Sequence, residues 1–222
     1  MSRPLPTESA LLRGPAGAIE VLIDAPETVR GIALVCHPHP LFGGANTNKV
    51  AHTLARSYRD LGFAAIRPNF RGVGKSEGEH DHGNGETEDM LSVIAWAQSR
   101  WGSLPLALGG FSFGGFIQTR IANRLAEDIN PPRQLVLVGT AAGLAADGAR
   151  SYDTPPVPKS IPTLVVHGEL DETVALSNVL DWARPQELPV IVIPGADHFF
   201  HGKLHLIRDL IARNVAAAAP RG

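Results

Sequence analysis

The sequence offers almost nothing to cross-link, nothing to insert into a bilayer and no charge excess to recruit a polyelectrolyte. A single cysteine, Cys36, in 222 residues excludes an internal disulfide framework and fits a reducing compartment. No apolar run approaches the ~20 residues that span a bilayer. Met1 to Thr7 carries one arginine and two prolines but no apolar stretch, so no signal peptide is expected there. The formal net charge of -2 gives no electrostatic reason for nucleic acid or an anionic membrane as a partner. There is also no internal repeat, low-complexity tract or domain linker. These absences lead to the expectation of one soluble, cytoplasmic domain over 1–222, because that length suits one substantial core and is short for two. They leave monomer and homodimer equally open.

What the chain does have is 44% hydrophobic residues, 23 glycines and 18 prolines, and the last two punctuate it. Residues 1–17 read as an irregular lead-in or a short edge strand, and 216–222 as a flexible tail. Ile19 to Ile23 reads as a strand, and Val29 to Cys36 as a strand buried on both faces. His37 to Gly44 is a loop, because two prolines and two glycines oppose regular structure. A helix is expected from about Asn46 to Leu61, then a strand over Phe63 to Arg67. The next helix has Glu86, Glu88 and Asp89 near its start, where they complement its dipole, and turns Met90, Val93, Ile94 and Ala97 inward. Strands follow at Leu104 to Leu108, Leu135 to Val138, Thr163 to His167 and Pro189 to Ile193. Thr173 to Ala183 reads as a helix, and so does Phe199 to Val215 with its stripe of Leu204, Ile207, Leu210 and Ile211. Alternation of this kind predicts an α/β fold: a three-layer sandwich with a mostly parallel sheet.

The chain is organised around Gly109-Gly110-Phe111-Ser112-Phe113-Gly114-Gly115. An apolar strand precedes it and an apolar-periodic segment through Ile117, Ile121 and Leu125 follows. Gly110-x-Ser112-x-Gly114 is the nucleophile-elbow pattern, in which a strained turn lifts a serine hydroxyl clear of the sheet edge. The glycines let strand and helix pass close together beside that serine. Two other polar groups follow strands in the same way, at the sheet edge where functional groups gather. Asp171 follows Thr163–His167, and His198 follows Pro189–Ile193.

Other candidate chemistry is weaker. Gly74-Lys75-Ser76 looks like the end of a phosphate-binding loop, but Asn69 stands where that motif needs glycine. His198, His201, His205 and Asp197 offer metal-ligand atoms without a His-Glu-x-x-His signature, and His37/His39 and His80/His82 sit in what read as unrelated loops. No metal or other cofactor is expected. Asp197 is expected to bond loop amides, and His37 and His167 to be structural hydrogen-bonders. Cys36, in an apolar strand, reads as a core residue.

The order serine, acid, histidine behind an elbow resembles the α/β-hydrolase superfamily, over about Ile19 to Val215. His167-Gly168-x-x-Asp171-x-x-Val174 and Gly195-x-x-His198 look like that family's acid and base segments. His37-Pro38-His39-Pro40 stands where many members carry His-Gly-x-Pro, and Arg71-Gly72-x-Gly74-x-Ser76 is similar to another common loop of the family. The resemblance is greatest to small bacterial serine hydrolases without a lid, of the esterase or dienelactone-hydrolase kind. It favours Asp171 over its neighbours Glu169 and Glu172.

The resemblance implies a Ser112–His198–Asp171 triad. Serine is a poor nucleophile until a base takes its proton, and histidine does that near neutrality. Ser112 would attack a carbonyl, His198 would shuttle the proton and Asp171 would orient the imidazolium. The Phe113 amide and an amide of the 37–44 loop would hold the oxyanion. Pro38 and Pro40 have no amide hydrogen, which leaves His39, with Leu41 in reserve. Gly139 to Ile161, the interval where many relatives insert a lid, is short, polar and poor in large apolar residues. The expectation is therefore an open site bordered by Phe42, Phe113, Phe199 and Phe200, suited to small or short-acyl esters or thioesters. The competing functions are a peptidase or amidase on the same triad, and a non-catalytic small-molecule-binding protein of the same fold.

Overall fold

In the computed structural model, which describes residues 5–218, eight strands form one sheet between two layers of helices. In chain order the elements are β1 (Glu8–Gly14), β2 (Gly17–Asp24), β3 (Gly31–Cys36), α1 (Lys49–Asp60), β4 (Phe63–Pro68), α2 (Asn84–Trp101), β5 (Leu106–Phe111) and α3 (Phe113–Leu125). They continue with β6 (Gln134–Val138), β7 (Gly143–Leu144), β8 (Ser151–Tyr152), β9 (Thr163–Gly168), α4 (Leu176–Ala183), β10 (Val190–Ile193) and α5 (Leu204–Ala218). The main sheet has the order β1-β2-β4-β3-β5-β6-β9-β10. β2 is antiparallel to both its neighbours, and every pair from β4 to β10 is parallel.

Strand periodicity explains the layers. β3 and β5 are buried along their whole length, so successive side chains feed opposite cores. Ile32, Leu34 and Leu108 join Met90, Val93, Ile117, Ile121 and Val179 of α2, α3 and α4. Ala33, Val35 and Ala107 join Val50, Leu54 and Tyr58 of α1 and Ile207 and Ile211 of α5. This is the expected αβα sandwich, and no cap domain is present among the described residues. The 139–161 interval instead holds the small antiparallel hairpin β7–β8.

Several boundaries depart from the sequence reading. Of the two readings of the lead-in, the edge strand holds from Glu8: β1 lies at the sheet edge and pairs residue by residue with β2, Glu8 opposite Ile23 through Gly14 opposite Gly17. Residues 1–4 of that lead-in and 219–222 of the expected tail lie outside the described residues, while 216–218 belong to α5. The last helix begins at Leu204 and not at Phe199, because Phe200 and Gly202 take the left-handed region (φ 54° and 71°), which interrupts a right-handed helix.

The topology creates the site. After β3 the chain adds β4 on one side and then β5 on the other. Strand order therefore reverses at β3 and β5, and a crevice opens beyond their carboxyl ends. The 37–44 loop and the 109–115 turn both leave the sheet there.

Candidate active site

Ser112 sits between β5 and α3 with φ 55° and ψ -119°, a conformation that costs a non-glycine residue about 1–3 kcal/mol. The surrounding backbone holds it. Ser112 N donates to Val138 O at 2.9 Å, and Ser112 O accepts from Gly115 N and Phe116 N as α3 begins. A Cβ on Gly110 would lie 2.4 Å from Gly114 O, and one on Gly114 would lie 2.4 Å from Cys36 O. Strand and helix therefore touch backbone to backbone on either side of the serine. Gln118 of α3 fastens the helix to the sheet, its Nε2 donating to Leu34 O at 2.9 Å and Gly109 O at 3.0 Å.

Asp171 and His198 meet at the same edge. His198 Nδ1 donates to Asp171 Oδ2 at 2.7 Å, and Asp171 Oδ1 accepts from Thr173 N at 2.9 Å and Val174 N at 2.8 Å. The neighbouring acids have other partners: Glu169 accepts from Gly195 N at 2.7 Å, and Glu172 is exposed. The His198 ring lies against Phe111 at 4.8 Å between centroids, beside Gly139, where a Cβ would come within 3.4 Å of the ring. With Nδ1 carrying the hydrogen, Nε2 is free to act as a base. Among the described residues His198 bonds Asp171 and not Ser112. Bonds between a nucleophile and its base commonly close only around substrate.

The 37–44 loop is more ordered than its prolines suggested, with a 3-10 turn at Pro40–Phe42. Phe70 N donates to His37 Nε2 at 3.0 Å, so His37 Nδ1 carries the hydrogen and gives it to Pro38 O at 2.7 Å. His37 thus braces the loop as expected. Burial holds its pKa down to about 4, and burial chiefly does the same for His39, also to about 4. The sign follows from linkage. An unfolded chain takes up these protons first, near pH 6.5, so stability is full above about 6.5 and is lost as pH falls towards about 4. The fully buried His37 accounts for up to about 3 kcal/mol of that loss. Urea unfolding at about pH 7.5 and about pH 4.5 should show the fall, and His37→Gln should flatten it. An equal slope in the variant would place the acid sensitivity elsewhere.

His39 caps the 3-10 turn, its Nδ1 accepting from Leu41 N at 3.2 Å. The Leu41 amide, the reserve oxyanion donor, is therefore already committed. Contrary to the sequence reading, His39 and His80 are not in unrelated places. Their rings lie 4.8 Å apart, His82 is 5.1 Å from His80, and His39 also meets Phe113 at 4.9 Å. His80 Nδ1 lies 2.8 Å from Oε1 of the fully buried Glu86, without the geometry of a hydrogen bond. The β7–β8 hairpin completes the wall: Tyr152 packs on Phe113 and Phe116, and the Arg150 guanidinium lies 3.9 Å above the Phe42 ring.

The sequence reading missed Arg150, Tyr152, His80 and Phe116, because no spacing rule links them to Ser112. Of the expected borders, Phe42 and Phe199 are exposed at this edge, while Phe113 is buried beneath it. Phe200 does not border the site. Its left-handed backbone turns the ring into the core formed with α1 and α5, fully buried.

The remaining motifs have structural jobs. Arg71 grips Asp89 of α2 with two bonds, 2.8 and 2.9 Å, and Ser76 Oγ bridges Glu20 N and Asn69 O. The phosphate-loop look-alike is thus a brace. Cys36 is buried and accepts from Gln118 Nε2 at 3.3 Å, with its thiol pKa pushed up by burial. Asp197 binds the His201 amide at 3.0 Å and its ring. Among the described residues no three His, Cys, Asp or Glu side chains are placed to hold a metal ion, and no helix is long and apolar enough to cross a membrane.

Comparison with known proteins agrees with this architecture. Residues 19–136 match the X-Pro dipeptidyl-peptidase (S15) family. XC6422 of Xanthomonas campestris, described as an α/β serine hydrolase without a lid, superposes with a TM-score of 0.85 at 33% identity, over 100% of this chain and 99% of that one. An uncharacterized protein of Rickettsia prowazekii is 33% identical over 204 residues, 86% of this chain and 81% of the other. The lysophosphatidylserine lipase ABHD12 of Gallus gallus is 32% identical over 120 residues, which is 52% of this chain but only 31% of the lipase. With the S15 match covering more than half its length and the lidless hydrolase all of it, the chain belongs to the α/β-hydrolase superfamily, among the lidless α/β serine hydrolases.

Proposed function

We propose that this hydrolase cleaves small or short-acyl carboxylic esters or thioesters through an acyl-enzyme on Ser112. The observation that carries the proposal is the Asp171–His198 bond of 2.7 Å at the edge where the strained elbow presents Ser112. His198 takes the serine proton as Oγ attacks the carbonyl carbon, then returns it to the departing alkoxide or thiolate. Water repeats the cycle on the acyl-enzyme, and Asp171 steadies the imidazolium in both halves. No cofactor enters this sequence.

The oxyanion is received by two amides. Phe113 N stands at the open N-terminus of α3, where unpaired N–H groups and the helix dipole favour negative charge. His39 N is the second donor. It has no backbone partner among the described residues, and its ring packs against Phe113. The preference for short acyl groups rests on the absence of a cap among the described residues and on the exposure of Phe42 and Phe199. Amide or peptide hydrolysis on the same triad is the second reading, favoured by the match to the S15 family.

A fluorophosphonate probe tests the nucleophile. It should label the native protein and not Ser112→Ala; labelling that survived would remove Ser112. A panel of p-nitrophenyl esters of increasing acyl length, set beside X-Pro amides, then tests the substrate. Faster turnover of long-chain esters by orders of magnitude would sink the short-acyl assignment, and faster turnover of the amides would establish the peptidase reading.

A further inference from the structure

His167, at the end of β9, is fully buried and takes no part in the triad chemistry. Its Nε2 lies 3.0 Å from Val174 O and 3.4 Å from Asp171 Oδ2. A carbonyl oxygen only accepts, so Nε2 must carry the ring hydrogen. Nδ1 is buried and has no hydrogen-bond partner among the described residues. A second ring proton there would be a desolvated, unpaired charge, so the ring is neutral. Burial accordingly lowers its pKa, against the pull of Asp171.

The bond to Val174 O ties down the turn that carries the acid. Val174 N donates to Asp171 Oδ1 at 2.8 Å, and Val174 O accepts from His167. The 171–174 turn is thus held at both ends of one residue. Asp171 Oδ2 faces two imidazoles, that of His198 at 2.7 Å and that of His167 at 3.4 Å. Asp171 and His198 are the titratable groups that face His167. A neutral donor here holds the turn that carries the carboxylate without setting a second cation beside the imidazolium that forms on His198.

We propose that His167 is a positioning residue: as a neutral Nε2–H donor it locks the Val174 carbonyl, and with it the turn that holds the Asp171 carboxylate, so that Oδ2 stays on His198 Nδ1. The proposal rests on the triad reading above. Without this donor the Val174 carbonyl is released, the 171–174 turn whose amides hold Asp171 Oδ1 loosens, the Asp171–His198 bond weakens and the imidazolium loses stabilisation.

The test compares His167→Phe, which fills the space without a donor, with His167→Gln, whose amide reaches towards the Nε2 position. His167→Asn, too short to reach Val174 O, serves if the phenylalanine variant does not fold. The donor-less variants should lose about 10- to 100-fold in kcat with little change in KM. The acid limb of kcat/KM should move to lower pH by about half a unit, because the imidazolium is less stabilised. His167→Gln should recover most of both. The downfield proton resonance of His198 Nδ1–H should weaken in the phenylalanine variant and persist in the glutamine variant, a readout that needs no turnover.

A lower thermal midpoint with an unmoved pH limb and an intact resonance would make His167 merely structural and overturn the proposal, as would a glutamine variant no better than phenylalanine. His198→Ala separates the two readings. If it keeps the native rate, the triad falls and this proposal with it. If it is inactive while the His167 variants behave as the native protein, the positioning role alone is lost.

Discussion

Ser112→Ala is expected to lower kcat by about 10⁴- to 10⁶-fold while leaving KM and the thermal midpoint nearly unchanged. The magnitude follows from the chemistry, since without Oγ no acyl-enzyme forms, and only oriented amides and substrate binding remain to speed attack by water. The small effect on folding follows from geometry. The elbow is held by backbone bonds of Ser112, its N to Val138 O and its O from Gly115 N and Phe116 N, and alanine keeps all of them. His198→Ala should cost a comparable factor. The double variant should cost little more than either single one, because the two groups act as a unit. Additive losses, or a serine variant within tenfold of native, would mean that the hydrolysis uses another nucleophile.

Gly114→Ala is expected to have the largest effect on the fold. Its Cβ would stand 2.4 Å from Cys36 O and 2.6 Å from His37 O, distances that real methyl groups do not tolerate. Both obstacles are main-chain atoms at the end of β3, so no side-chain rotation relieves them. Helix α3 must lift away from the sheet, which strains the Gln118 bonds to Leu34 O and Gly109 O and moves Phe113 from His39. The cost is about 3 kcal/mol or more, a drop of roughly 6–12 °C in Tm for a chain of this size. Activity should fall even in the folded fraction. Gly43→Ala is the control: that glycine is left-handed (φ 75°) with open space around it, so it bears only the conformational penalty of about 1–2 kcal/mol. If calorimetry ranked the two equally, the close approach of α3 and β3 would not be what limits stability.

The contrast between these glycines reflects what was legible in the chain. Gly110-x-Ser112-x-Gly114 announced a strand-to-helix turn, and the turn formed where the pattern put it. Most strands and helices were also readable, because burial on one face or two imprints a local periodicity. Met90, Val93, Ile94 and Ala97 are buried as α2 predicts, and Ile207 and Ile211 as α5 predicts. Local pattern left the choice open, or failed, where long-range pairing or a single dihedral decided. β1 exists because β2 offers it an edge, and Phe199–Lys203 is not helical because Phe200 adopts positive φ.

At the site, the sequence by itself determined the kinds of group available and their order: a serine on an elbow, then carboxylates, then a histidine, each beyond a strand. It could not choose among Glu169, Asp171 and Glu172 on chemistry, since three carboxylates within four residues read alike. Tertiary structure chose, because the 171–174 turn aims one of them at His198 and the Gly195 amide occupies another. It also brought His39 to His80, packed Tyr152 on Phe113 beside Ser112 and set Arg150 over Phe42. These groups come from loops far apart in sequence, and the parallel sheet sets all their strand ends along one edge. Contacts between such loops depend on strand order and register, which no window of sequence contains.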